Sequence, residues 1–128
     1  MQRDELNKLG GIILDACITV HKELGPGLLE SAYELALGRE LQLRDVHIRT
    51  QVPIDLKYKE VSLGKVYVVD MLVEEEVILE IKAAEAMHPI FEAQLITYLK
   101  VSDKRLGYLI NFNVALLKEG FRRIVYRF

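Results

Sequence analysis

Asp70, Glu80 and Lys82 stand out in the stretch Val66–Lys82, V-Y-V-V-D-M-L-V-E-E-E-V-I-L-E-I-K, because apart from one acidic turn their surroundings are apolar. Two runs rich in Val, Ile and Leu flank Glu74-Glu75-Glu76, a pattern that predicts neighbouring antiparallel strands. Strand side chains alternate between faces, so Val66, Val68, Asp70 and Leu72 are expected on one side. In the second run Ile78, Glu80 and Lys82 share a side, with Val77, Leu79 and Ile81 opposite. Burying a carboxylate costs several kcal/mol unless a cation or a dense set of hydrogen bonds compensates. Two carboxylates and an ammonium in such strands either pin the hairpin as a salt-bridge cluster or perform chemistry. Buried ion pairs stabilise weakly, because desolvation offsets most of the attraction. That favours chemistry, and Asp followed by Glu-x-Lys on the next strand suits phosphodiester hydrolysis.

Such hydrolysis needs an activated water and a way to neutralise charge at the phosphorus. Mg²⁺ or Mn²⁺ supplies both, and Mg²⁺ prefers hard oxygen ligands, usually one or two carboxylates with waters and substrate phosphate. Asp70 and Glu80 are expected to present oxygens to one such ion, with the main-chain carbonyl of Ile81 as a further ligand. Lys82 would orient the water or stabilise the developing negative charge. Crowded carboxylates repel, so one of them should carry a raised pKa when no metal is bound. A second ion, about 4 Å from the first, needs another carboxylate. Glu30 is the candidate, in the first turn of a predicted helix where the dipole favours an anion. Capping that helix is the competing explanation. Gln94 and Tyr98, four residues apart on one helix face, suit a phosphate or would hold Lys82. They equally form the polar edge of an amphipathic helix. His21, His47 and His88 show no joint zinc spacing, and no Walker-type loop, Gly-x-Ser-x-Gly elbow or Cys-x-x-Cys pair occurs.

The elements that must position these residues follow from periodicity. Leu6, Leu9, Ile13, Ala16, Val20 and Leu24 recur at helical spacing, so Arg3–Leu24 is predicted as a long amphipathic helix. Gly25-Pro26-Gly27 ends it. A second helix is expected from about Leu28 to Arg44, with Leu28, Ala32, Leu35 and Ala36 as one apolar face. Val46–Lys57 follows as extended chain, and Pro53 points to an edge position or a bulge. Tyr58–Lys65, containing Gly64, is expected to be the turn leading into the Asp70 strand. Ala83–His88 connects to a helix over Ile90–Val101, opened by Pro89. Leu106–Asn111 reads as a buried strand, Ala115–Lys118 as a short helical turn and Phe121–Phe128 as a last strand. The order ααβββαββ defines one α+β domain over residues 1–128.

Length and composition agree with that. The 128 residues suffice for one domain with a real core, and 51% hydrophobic with 28% charged residues is ordinary for a globular protein. With no run of eighteen apolar residues and no basic-then-apolar leader, neither a membrane span nor a secretory signal is expected. The single Cys17 fits a small core residue and a reducing cytoplasm. The net charge of −2 is unevenly spread, since from Lys100 onward seven basic residues face two acidic ones. That segment either tracks a phosphate backbone or is an ordinary solvated face.

Taken together, these motifs resemble a known family. Asp70, then Glu80-Ile81-Lys82, then a helix with Gln94-x-x-x-Tyr98, is similar to the PD-(D/E)XK nuclease superfamily, in its exonuclease-like branch with a Gln-x-x-x-Tyr motif. L-G-P-G-L-L-E-S-A-Y (Leu24–Tyr33), F-E-A-Q-L-I-T-Y-L-K (Phe91–Lys100) and L-I-N-F-N-V (Leu109–Val114) resemble the small GxxExxR proteins of that superfamily. The resemblance implies a restriction-endonuclease-like core, a mixed central sheet flanked by helices, with a metal site where the central strands diverge. It implies Glu30 as the carboxylate of the first motif, Asp70 and Glu80 as metal ligands, Lys82 as the catalytic lysine and Gln94 and Tyr98 as accessory residues. Val69 stands where the superfamily name has Pro, and Tyr33 where the GxxExxR pattern has Arg. The expected activity is Mg²⁺-dependent hydrolysis of nucleic acid, with DNA the expected substrate. The alternatives are a non-catalytic nucleic-acid- or partner-binding module on the same fold, and an enzyme for another phosphate-containing substrate. A partner protein or a homo-oligomer is expected to complete the groove.

Overall fold

The computed structural model describes all residues, Met1–Phe128. Its elements in chain order are α1 (Arg3–Leu24), α2 (Glu30–Leu43), β1 (Ile48–Tyr58), β2 (Val61–Val73), β3 (Val77–Lys82), α3 (Pro89–Ser102), β4 (Leu106–Asn111), a 3₁₀ turn (Leu117–Gly120) and β5 (Phe121–Val125). The strands form one mixed sheet in the order β1-β2-β3-β4-β5. Only β3 and β4 are parallel, joined through α3, and the other neighbours are antiparallel. The result is the α+β architecture expected for a PD-(D/E)XK core. No helix is long and apolar enough to cross a membrane.

Two apolar cores sandwich the sheet. Leu6, Ile13 and Val20 of α1 and Leu37 and Leu41 of α2 pack on the face presented by Val77, Leu79 and Ile81. On the other face Leu95 and Leu99 of α3 cover Ile78 and Leu109. The alternation expected along Val77–Lys82 therefore holds, and β3 is buried from both sides as its continuous apolar run requires.

The buried face of α2 differs from the expected one. Tyr33, Leu37 and Leu41 are buried, whereas Leu28 and Leu35 are exposed. Both stripes satisfy helical spacing, and Tyr33 decides between them. Its ring stacks on Phe112 at 4.5 Å, and its hydroxyl donates to the Gly25 carbonyl at 2.5 Å. This choice turns Glu30, one turn before Tyr33, towards the same side as the sheet. Gly25 itself has φ 69°, as the glycine cap at the end of α1 anticipates.

The hairpin turns also depart in part from expectation. The Tyr58–Lys65 segment is mostly strand, because β1 and β2 are joined by only Lys59 and Glu60, at φ 49° and 69°. Two residues with positive φ match the right-handed twist of the strands they join. Gly64, at φ 97°, lies inside β2 where the pairing shifts between Lys57↔Ser62 and Asp55↔Lys65, so it serves a bulge. The acidic turn is as expected, with Glu74 and Glu75 at φ 51° and 57°. The Glu74 carboxylate accepts the His47 N–H at 2.9 Å, and Arg49 grips Glu75 with two bonds of 2.7 Å. Pro53 sits on β1, an edge strand, as its missing N–H demands. The last strand ends at Val125 rather than Phe128.

Candidate active site

The site begins where β2 and β3 separate. Their antiparallel pairing covers only Val73↔Val77, Leu72↔Ile78 and Met71↔Leu79. Asp70 and Glu80 come next, opposite one another, and here side chains replace the backbone ladder. The Asp70 N–H donates to Glu80 Oε2 at 3.2 Å, and the Ile81 N–H donates to Asp70 Oδ2 at 2.8 Å. Each carboxylate therefore satisfies an N–H of the opposite strand, which props the strands apart while leaving no orphaned donor.

A second irregularity lies on the other side of Asp70. Thr50↔Met71 and Val52↔Val69 are paired, but Gln51 stands opposite Asp70 unpaired, with φ 50°. Along β2 the alternation breaks here: Met71 and Val73 belong to the core under α1 and α2, while Val69 and Leu72 belong to the α3 core. The expected single side for Val66, Val68, Asp70 and Leu72 is thus interrupted. Val66 and Val68 are exposed and Leu72 is buried. The left-handed backbone of Gln51 rolls the ribbon at this point, and Asp70 occupies the crossover.

Electrostatics mark Glu80 as the strained member. It is 6% exposed. Burial pushes its carboxyl up to about 9, and the adjoining Asp70 carboxylate adds to the rise. The Asp70 N–H and the Lys82 ammonium pull the other way. The raised carboxyl expected from crowding is therefore present, with desolvation its first cause.

The remaining expected residues divide into two groups around this pair. On the α2 side, Glu30, Ser31, Glu34, Gln51, Asp70 and Ile81 line a cleft of about 260 Å³. Glu30 is exposed at its rim. Glu34, one turn deeper, accepts a 2.7 Å hydrogen bond from the Gln51 amide. Burial raises the Glu34 carboxyl, Gln51 lowers it, and the Asp70 charge raises it again. On the α3 side stand Lys82, Tyr98 and Gln94. Tyr98 is buried, its ring 5.4 Å from that of Tyr67. Burial, then the charges of Glu80 and Asp70 and the neighbouring Tyr67, push its hydroxyl up to about 12. Gln94 is exposed on the same helix. Lys82 is half-buried and joins none of the five ion pairs. Its Nζ lies 4.4 Å from the Phe91 ring centroid.

The structure thus brings Asp70, Glu80 and Ile81 together, leaves Glu30 exposed at the rim of the cleft that Asp70 and Ile81 line, and stands Lys82 and Tyr98 on the α3 side. No three His, Cys, Asp or Glu side chains are gathered closely enough to hold a metal ion alone. Sequence reasoning missed Glu34, Gln51, Phe91 and Asn111. Glu34 had a signal, since it follows Glu30 by one helical turn. Asn111 lay within a quoted motif but had no assigned task. It is buried and fastens the loop after Lys82: its Oδ1 accepts the Ala84 N–H at 3.1 Å and its Nδ2 donates to the Ala84 carbonyl at 2.9 Å. The basic C-terminal segment is largely engaged within the protein. Arg122 pairs with Glu92 at 3.3 Å, Arg123 donates to Asn7 at 2.9 Å and Lys104 donates to the Glu75 carbonyl at 2.7 Å.

A mixed sheet between helices, with Asp and Glu-x-Lys meeting where two strands part, defines a nuclease-type core. A family model of the PD-(D/E)XK nuclease superfamily matches residues 7–124, and the chain belongs to that superfamily. No curated protein and no solved structure matches it.

Proposed function

We propose that residues 1–128 form a single nuclease domain that hydrolyses phosphodiester bonds in nucleic acid, DNA foremost, with Mg²⁺ or Mn²⁺ as cofactor. The observation that carries this reading is the meeting of Asp70 and Glu80 at the divergence of β2 and β3, cross-bonded through the backbone. The donor set fits a hard divalent ion, since Mg²⁺ takes one or two carboxylates and completes its shell with waters and substrate phosphate. Asp70, Glu80 and the Ile81 carbonyl would hold it, with Glu30 the added carboxylate if a second ion takes part. Such an ion supplies Lewis acidity and lowers the pKa of a bound water.

The protein's own groups do the rest. Burial holds the Glu80 carboxyl well above the usual carboxylate range, and Glu80 would have to give up its proton to serve as a ligand, because metal ligation requires the carboxylate. Lys82 sets its ammonium against the attacking water or the phosphoryl oxygens. Gln94, exposed on α3, and Tyr98 behind it contact the phosphate or steady Lys82. The sequence L-G-P-G-L-L-E-S-A-Y with Gln94-x-x-x-Tyr98 supports the GxxExxR, Gln-x-x-x-Tyr branch as the finer family assignment. The free, buried Cys17 is consistent with a reducing cytoplasm.

The test is hydrolysis of end-labelled DNA and RNA by wild type and Lys82→Ala, in Mg²⁺, Mn²⁺ or chelator. Metal-dependent cleavage lost in the variant supports the proposal. Salt-sensitive, metal-independent binding without cleavage of any substrate would replace it with the non-catalytic binding module. The absence of three gathered ligands is the observation that keeps this second reading in view.

A further inference from the structure

The two ends of Lys82 are fixed by different means. Its backbone is locked in the sheet: it pairs with Asn111 across the parallel ladder, and its carbonyl accepts the Phe112 N–H at 3.0 Å. The far end of its side chain has no such anchor. No carboxylate reaches its ammonium, although Glu80 lies two residues away on the same strand face. What stands beside the ammonium is the Phe91 ring, 4.4 Å away at its centroid. That is well inside the roughly 6 Å over which a ring quadrupole attracts a cation. Phe91 is half-buried in the first turn of α3 and is itself flanked edge-on by His88 at 6.3 Å.

The choice of partner matters for chemistry. A carboxylate would occupy the ammonium N–H donors and cancel most of the charge. An aromatic face attracts the cation electrostatically and leaves donors free for a phosphoryl oxygen or a water. We infer that Phe91 is a positioning residue, whose ring holds the Lys82 ammonium aligned and unspent beside the Asp70–Glu80 pair. This inference rests on the proposed nuclease function, because it assigns Phe91 a task through Lys82. Nothing in the arrangement requires Phe91 to touch substrate.

The test uses the 128-residue chain with Mg²⁺ and a labelled DNA duplex under single-turnover conditions. Phe91→Leu keeps an apolar side chain and removes the ring. It should lower the rate about three- to tenfold while leaving DNA affinity unchanged. Phe91→Trp, with the strongest cation-binding ring, should restore the rate. In a Lys82→Ala background Phe91→Leu should add no further loss, since the two act as one unit. A second readout needs no turnover. The Lys82 Cε protons should resonate upfield in the wild type through the ring current, and return to their usual position in Phe91→Leu. An undiminished rate in Phe91→Leu, no recovery with Trp, or an equal loss in the Lys82→Ala background each overturns the inference. Ordinary Lys82 proton shifts in the wild type overturn it independently of activity. A wild type that shows the shifted protons yet cleaves no nucleic acid overturns the proposed function, and with it the catalytic task of the contact.

Discussion

Asp70 and Glu80 hold each other's strand: Glu80 Oε2 takes the Asp70 N–H at 3.2 Å and Asp70 Oδ2 takes the Ile81 N–H at 2.8 Å. The two acidic groups are thereby kept adjacent by neutral backbone donors rather than by a cation, and burial together with the Asp70 charge holds the Glu80 carboxyl well above its usual range. The arrangement trades native-state strain for a preformed pair of hard oxygens.

Replacing either acidic group by its isosteric amide should cost the metal-free fold little. Asp70→Asn and Glu80→Gln both retain a side-chain oxygen to accept the backbone N–H. Each should leave the metal-free protein as stable as wild type or more so, and abolish Mg²⁺ binding. Urea denaturation paired with calorimetric Mg²⁺ titration checks both halves. A drop of more than about 2 kcal/mol in the metal-free state would instead mark the residue as a structural partner.

Stability should also depend on pH through Glu80. Its carboxyl is raised from 4.5 to about 9 in the folded state, so between these values the native protein binds a proton that the unfolded chain has released. Stability from this group is therefore complete below the unfolded value and is lost as pH rises towards the folded one. Denaturation midpoints in chelator should fall from pH 5 to pH 9 in the wild type by more than in Glu80→Gln. Equal slopes in the two proteins would count against a buried, protonated Glu80.

Lys82→Ala should separate binding from turnover. Removing one preorganised charge at a transition state typically costs about 100-fold or more in rate. The variant should retain Mg²⁺ affinity and lose most hydrolysis. Ca²⁺ should bind the wild type but sustain little cleavage, because its looser coordination positions water poorly.

Glu30 distinguishes a functional from a capping carboxylate. The cap residue Leu29 offers no side-chain bond, so Glu30 can help α2 only through the dipole, worth about 0.3–1 kcal/mol. Glu30→Gln should change the unfolding free energy by no more than that while lowering hydrolysis at limiting Mg²⁺. Unaltered kinetics with the full stability loss would return Glu30 to the helix.

Asn111→Ala should act at a distance from the chemistry. Its amide makes two hydrogen bonds to the Ala84 backbone and one to the Asn113 N–H, all part-buried. Leaving those groups unpaired typically costs about 1–3 kcal/mol. Hydrolysis should fall with it, since the loop that follows Lys82 loses its fastening.

Much of this was legible in the chain. The apolar runs around Glu74–Glu76 and the alternation of Val77–Lys82 announced β3 and its neighbours, because a strand buried on both faces leaves few polar positions to misplace. Glu80 and Lys82 were conspicuous for the same reason. The reach of β2 was not legible, since Gly64 reads as a turn residue and only the pairing shift reveals a bulge. Gln51 was invisible because a positive φ at a non-glycine residue has no local signature. Phe91 looked like any apolar residue of a helix, and its task depends on a lysine nine positions earlier in the sequence. Helical spacing allowed two faces for α2, and a tertiary contact, Tyr33 on Phe112, chose between them.

The ribbon of β1 and β2 outruns the rest of the sheet, because β3 stops pairing at Met71 and both edges of Val52–Val69 lack a third strand on the β3 side or beyond. Tyr58, Val61, Leu63 and Val66 are exposed along it. Two strands alone are marginal in water. Amide protons should therefore exchange with solvent fastest along this ribbon and slowest in β3 and β4, where both faces are covered. Asp70 stands on the border between the two regimes. Whatever bends or grips the ribbon has the aspartate at its fulcrum, and the expected exchange pattern sets its partner Glu80, on β3, in the slower half.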